Sequence, residues 1–129
     1  MLDRPQYAAA MTDQSSTDDA MTPLDAFACL DLRVGRVLEA TPNPAARKPA
    51  FILRIDFGPL GIRTSSAQLT TLYDANALVD RLVIAAVNLG TRKIAGVNSE
   101  VLVLGLPDEQ EAVVLLTPER DVPLGGRVY

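Results

Sequence analysis

The stretch VNLGTRKIAGVNSEVLVLG at residues 87–105 decides how the rest of the chain is read. Two apolar, strand-like ends enclose a polar middle with an Arg-Lys pair, two glycines, two amides and a serine. A loop that merely joins strands usually takes about 2–5 residues. A longer connection, rich in hydrogen-bonding groups and held on a rigid sheet, is where binding function concentrates. Arg92 and Lys93 offer positive charge to phosphate or acidic partners. Gly90 and Gly96 allow backbone angles that other residues resist and let a ligand approach closely. The residues alone admit a second reading, a solvated turn with a chance Arg-Lys pair.

Working outward, short runs rich in valine and isoleucine predict strands near 33–41, 50–57, 61–65, 82–87, 101–104 and 112–117. Gly35 interrupts the first run, as expected of a bulge or sharp bend at the corner of a small barrel. In the second run Phe51, Leu53, Ile55 and Phe57 share one face, while Ile52, Arg54 and Asp56 share the other. That alternation fits a strand with one buried face. Thr22-Pro23-Leu24-Asp25 reads as a helix start, with Thr22 as cap and Pro23 in the first turn, running to about Leu30. Residues 68–73 are expected to form a second short helix, placing Leu69, Leu72 and Tyr73 on one face. Asp108-Glu109-Gln110-Glu111 reads as a solvated hairpin tip. The pattern supports an all-β chain with short helices, in the order β-β-β-α-β-β. Residues 1–21 are polar and without period, and are expected to be a disordered tail preceding one domain at 22–129.

Composition excludes several function classes. The chain has 129 residues, enough for one domain with a core of its own. It contains no histidine, so the commonest general base and metal ligand are missing. Cys29 is the single cysteine, which rules out an intrachain disulfide and a thiolate zinc cluster. Lying in the apolar run 26–30, it reads as a small core hydrophobe. No phosphate-binding loop and no paired carboxylates are present; a serine nucleophile would lack a histidine base, and although Ser65, Ser66 or Ser99 could pair with Lys48 or Lys93, nothing in the spacing suggests it. A non-enzymatic protein without metal or cofactor is the expectation. No apolar run approaches the roughly 20 residues of a membrane span, and no basic region followed by an apolar stretch opens the chain. A cytoplasmic protein without membrane insertion is therefore expected. The net charge of −4 is uneven: residues 27–105 carry nine cations against six carboxylates, between two acidic ends. A mildly basic body can present a basic face, or simply a mixed solvated surface.

The segment 88–104 is similar to the OB-fold tRNA-binding domain family, whose pattern runs N-L-x-P-R-K-x-x-G-x-x-S before an apolar strand. Here Gly90 and Thr91 stand where the family usually has another residue and a proline. Asp31-Leu32-Arg33-Val34-Gly35-Arg36-Val37 resembles the family's first strand. Pro42-Asn43-Pro44 and Ile52-Leu53-Arg54-Ile55-Asp56-Phe57-Gly58 resemble the approach to its second strand and the strand itself. The run Ser65-Ser66-Ala67-Gln68, together with Ser99-Glu100-Val101-Leu102-Val103-Leu104-Gly105, is similar to the CsaA branch, small homodimeric proteins regarded as export-related chaperones. The resemblance covers about residues 27–129. It implies a five-stranded OB-fold Greek-key barrel with an N-terminal helix and a C-terminal extension that serves dimerisation.

In such a barrel the loops after the first and fourth strands flank one side of the sheet. The resemblance therefore implies a site drawn from three places: Arg47 and Lys48; Arg63, Ser65, Ser66 and Gln68; and Asn88, Arg92, Lys93, Asn98 and Ser99. The cations would follow phosphates, while the amides and hydroxyls would meet bases or sugars. Asn88 and Ser99 also have structural readings, as a turn former and a backbone cap. Ser99 matches a family serine implicated in tRNA contact, but the family's following Gly-Met is Val101-Leu102 here. The expected homodimer interface comprises Leu24, Phe27, Leu30, Val122, Leu124 and Val128. The implied partners are tRNA, bound weakly and with salt sensitivity, and unfolded polypeptide or export substrate. The alternatives are a purely RNA-binding module and a dimeric accessory OB domain without a chaperone role.

Overall fold

A computed structural model describes residues 21–129. Apart from Met21, the tail expected at 1–21 lies outside the described residues. The chain divides after Leu30 into two units. The described part of the first is helix α1, Pro23–Cys29. Its start is the capping box legible in the sequence: the Thr22 hydroxyl accepts the Asp25 N–H at 3.1 Å, and the Asp25 carboxylate accepts the Thr22 N–H at 3.4 Å. None of its residues is buried. Cys29 is exposed, which corrects its reading as a core residue: the short helix that carries it forms as expected but buries none of its side chains.

The second unit, Asp31–Tyr129, is the β-rich domain. Its strands are β1 (Leu32–Pro42), β2 (Phe51–Asp56), β3 (Ile62–Ala67), β4 (Leu82–Ala86), β5 (Arg92–Ile94), β6 (Val97–Ser99), β7 (Leu102–Val103), β8 (Gly105–Pro107) and β9 (Val113–Leu115). Five of them pair antiparallel in the order β3-β2-β1-β4-β7, curling into a nearly closed barrel of the OB type. The strands β5 and β6 form one separate hairpin, and β8 and β9 another. At the tip of the latter, Asp108 Oδ1 accepts the N–H groups of Gln110 and Ala112. The core is built on the alternation in β2. Leu53, Ile55 and Phe57 are fully buried, Phe51 nearly so, and they pack with Val37, Leu78 and Val83.

Two local expectations change. The bulge in β1 falls between Val37 and Glu39, not at Gly35. Gly35 is required for packing: a Cβ there would sit 2.5 Å from Ile55 Cγ2 and 2.7 Å from the Phe57 ring. The second helix is not at 68–73 but is the single turn α2, Ala75–Leu78. Asp74 starts it by accepting the Ala77 N–H at 3.2 Å, a cap placed too late for the predicted span. Over 68–73 only one helix-like bond forms, from Tyr73 N–H to the Leu69 carbonyl. Leu69 is buried while Leu72 stays exposed, so the expected shared face does not exist.

The barrel is not closed by a regular ladder. Between β3 and residues 99–101, side chains take the place of strand carbonyls. Ser99 Oγ accepts the Ser66 N–H at 3.0 Å, and Glu100 Oε1 accepts the Thr64 N–H at 3.2 Å. The Glu100 N–H returns a bond to the Thr64 carbonyl, and Ser65 Oγ donates to the Val101 carbonyl.

The C-terminal segment docks on the barrel of its own chain. Gly125 N–H bonds the Val34 carbonyl, Val34 N–H bonds Gly126, and Val128 N–H bonds Leu32. Where it crosses the turn after β2 the backbones nearly touch. A Cβ at Gly58 would lie 2.5 Å from the Leu124 carbonyl oxygen, and one at Gly125 would lie 2.5 Å from that of Phe57. Asp31 ties this region down, 2.6 Å from Arg33 and 3.6 Å from Arg127.

Candidate nucleic-acid interface

Two rims enclose a cleft beside the seam. The first is the β1–β2 loop, ordered by Asn43. Its Oδ1 accepts the Ala45 N–H at 3.1 Å, a side-chain turn that stiffens a loop flanked by prolines. The second is the β5–β6 hairpin. Its turn places Ala95 at φ 48° and Gly96 at φ 83°, the left-handed pair that a tight two-residue hairpin needs. Asn43 joins the rims, its Nδ2 donating to the Ala95 carbonyl across 3.4 Å.

Between the rims lies a cleft of about 770 Å³, lined by Ala45, Ala46, Arg47, Lys48, Ala50, Ser66, Gln68, Ile94 and Ala95. A second hollow of about 310 Å³ shares Ser66 and Ile94 and adds Leu89, Gly90, Arg92, Ser99, Val101 and Leu102. The pair forms one trough with an aliphatic floor, three cations and no carboxylate among its lining residues.

Of the residues singled out in the sequence, Arg47, Lys48, Ser66, Gln68, Arg92 and Ser99 line this trough. Ser65 is fully buried beneath it and Ser99 nearly so; both hydroxyls are engaged in closing the seam. Ser65 thus supports the trough without lining it, whereas Ser99 both closes the seam and lines the smaller hollow. Lys93 and Asn98 are a cross-strand pair on the exposed hairpin. Alternation puts them on the face opposite Arg92 and Ile94. Asn88 accepts the Asp31 N–H at 2.9 Å and so anchors the loop that carries Leu89 and Gly90. Arg63 does not line the trough; it sits toward the opposite end of β3 and donates to the Leu60 carbonyl at 3.3 Å. Sequence reading missed the floor of alanines and the tie made by Asn43. A methyl carries no pattern, but an asparagine between two prolines is a turn signal that was available.

The cations differ in what holds them. Arg33, Arg120 and Arg127 pair with carboxylates, and Arg36 and Arg63 donate to carbonyls. Arg81 lies 5.1 Å from the Tyr73 ring. Among the described residues the side chains of Arg47, Lys48, Arg92 and Lys93 make no hydrogen bond or ion pair, and neither does that of Arg54, which faces Glu39 in register. Four of these five unpartnered cations lie on the two rims.

The tRNA binding domain family model matches residues 32–127. The chain belongs to this family. A solved structure of the chaperone CsaA from Bacillus anthracis is 42% identical, with a TM-score of 0.76 over 85% of this chain and all of that one. CsaA from Picrophilus torridus is 39% identical with a TM-score of 0.78, over 84% of this chain and again all of that one. The family member described here is thus CsaA-like in sequence and in fold. The methionine–tRNA ligase of Pyrococcus abyssi is 38% identical over 104 residues, which are 81% of this chain and 14% of the ligase. The chain therefore spans about one seventh of that relative's length. Among the described residues no helix is long and apolar enough to cross a membrane.

Proposed function

We propose that this chain is a non-enzymatic, cytoplasmic, homodimeric tRNA-binding protein whose ligand lies in the trough between the β1–β2 loop and the β5–β6 hairpin. One observation carries the reading. Arg47, Lys48 and Arg92 flank an aliphatic floor with no carboxylate beside them, so their charge is available to phosphates. Its setting is a domain whose family is named for tRNA binding. The test is titration of labelled tRNA at rising salt. Weak binding whose logarithm falls linearly with log salt supports the reading; no binding at low salt overturns it.

A second reading is chaperone activity on unfolded export substrates. Leu89, Ile94 and Leu102 line the smaller hollow and are each at least 40% exposed, which suits an apolar peptide side chain. Two structures of similar fold carry the name chaperone. Burial of apolar surface depends little on salt, so a peptide complex that persists at high salt would identify this mode. For the dimer, Leu24, Phe27, Leu30 and Val122 are exposed, and Leu124 and Val128 are half-buried. Light scattering that gives a monomer mass would remove the dimer from the proposal.

A further inference from the structure

We infer that Lys48 is an acyl acceptor: a small acyl phosphate seated in the cleft acylates its amine, and the loss of charge switches the trough off. The acceptor half stands independently of the RNA reading above, and the switch half rests on it. The first argument is the distribution of amines. Of the 12 lysines and arginines in the chain, only Lys48 and Lys93 are lysine, and each follows an arginine on one rim. A guanidinium keeps its proton at physiological pH, whereas a lysine amine sheds its proton in a small fraction of molecules and is then a nucleophile. Lysine-directed chemistry on the side chains of this protein therefore falls on the rims alone. Both lysines are exposed, and neither side chain has an ion pair to break first among the described residues.

The second argument separates the two. Lys48 stands between the cleft and a third hollow of about 270 Å³, which it shares with Gln68, Thr70, Thr71 and Glu111. On the cleft side its neighbour is Arg47, and no carboxylate lines that space. On the far side is the Glu111 carboxylate. The phosphate of an acyl phosphate is drawn to Arg47 and repelled from Glu111, which leaves the acyl end at Lys48. The side chains of Gln68 and Thr71 make no hydrogen bond among the described residues and are free to donate to the acyl oxygen. A donor held beside the amine reacts as if at raised concentration. Lys93 has no such seat: it lines none of the three hollows and pairs across the exposed hairpin with Asn98.

The step balances without a further reactant. The neutral Nζ adds to the acyl carbon and an amide C–N bond forms. The bond from that carbon to the phosphate oxygen breaks, inorganic phosphate leaves with the electron pair, and the surplus Nζ proton passes to water. One positive charge on the rim becomes a neutral amide, and a phosphate contact is lost.

Incubation of the full chain with acetyl phosphate tests the acceptor, with acetylation read at each lysine by peptide mass spectrometry. Lys48 is expected to react about fivefold faster than Lys93, because only it has the donor seated beside it. Inorganic phosphate should slow Lys48 alone, and Arg47→Gln should remove its lead. Equal rates at the two lysines, or a lead that phosphate does not reduce, overturn the acceptor. Titration of tRNA at low salt tests the switch. Lys48→Gln, which copies the neutral amide, should weaken binding about threefold, while Lys48→Arg should bind as the parent does. Unchanged affinity in Lys48→Gln overturns the switch and leaves the RNA reading standing. Absence of tRNA binding by the parent overturns that reading and the switch with it, while selective acetylation of Lys48 would still uphold the acceptor.

Discussion

Arginine has opposite fates in two regions of the β-rich domain. Beside the C-terminal segment, Arg33 and Arg127 converge on Asp31, and Arg33 also donates to the Gly125 carbonyl at 2.9 Å. At the trough Arg92, with Arg47 and Lys48, has no carboxylate among its lining neighbours. Partly exposed ion pairs such as those of Asp31 contribute little energy, and their main effect is to fix geometry. Cations left unpaired do nothing for the fold, and they keep their charge for another molecule. Charge serves architecture in one region and, in the function proposed above, recognition in the other, although the residue type is the same.

The severest test of that contrast is steric. Gly125→Val would strain a φ of 85° and drive a Cβ against the Phe57 carbonyl. We expect a stability loss of about 2–5 kcal/mol by denaturant titration. Binding by the fraction that remains folded should be unchanged. Loss of affinity in that folded fraction would mean the two regions are coupled.

Charge reversal in the other region should do the opposite. Arg47→Glu, Lys48→Glu and Arg92→Glu together are expected to weaken tRNA binding roughly a hundredfold at low salt. The unfolding midpoint should stay within about 2 °C, because exposed, unpartnered side chains contribute little to folding. Three or four phosphate contacts give the parent protein a log-log salt slope of about −2 to −3. The triple variant should lose most of that slope.

Smaller effects refine the picture. Asp31→Asn should cost up to about 1 kcal/mol, most of it recovered in high salt, and leave tRNA affinity alone. A large fall in affinity would show that the paired region also recruits the ligand. Ala95→Asn should stabilise the hairpin by about 0.5–1 kcal/mol, since asparagine tolerates the left-handed backbone that alanine resists. A lower melting temperature would mean that the alanine methyl, which lines the cleft, matters more than the strain.

Legibility in the sequence follows the range of the interaction. The alternation of Phe51, Leu53, Ile55 and Phe57 is local, and it located a core strand. The cap at Thr22 is local too. The trough cations were visible because charge without nearby compensation shows in the composition of a loop. Gly35 was seen, but its reason was not, because the Ile55 and Phe57 side chains that exclude a Cβ belong to another strand. The helix expected at 68–73 failed because tertiary packing buried Leu69 and left Leu72 in water. Ser65 and Ser99 read as ligand contacts, with a backbone cap as the second reading of Ser99; the cap is what its hydroxyl makes, on Ser66, and the partners of both serines lie too far along the chain for a local pattern to name them.

That seam gives the barrel a line of weakness with a defined address. Five strands are joined by ladders, whereas Thr64 and Ser66 rely on a carboxylate and a hydroxyl to hold their amide protons. A side chain can rotate away while the backbone stays put, so this junction opens at lower cost than its neighbours. The amides of Thr64 and Ser66 should exchange with deuterium faster than those of Leu53 and Ile55. The slit they mark lies beside the cleft, so an occupant resting on Ser66 and Ser99 would slow that exchange and report its own arrival.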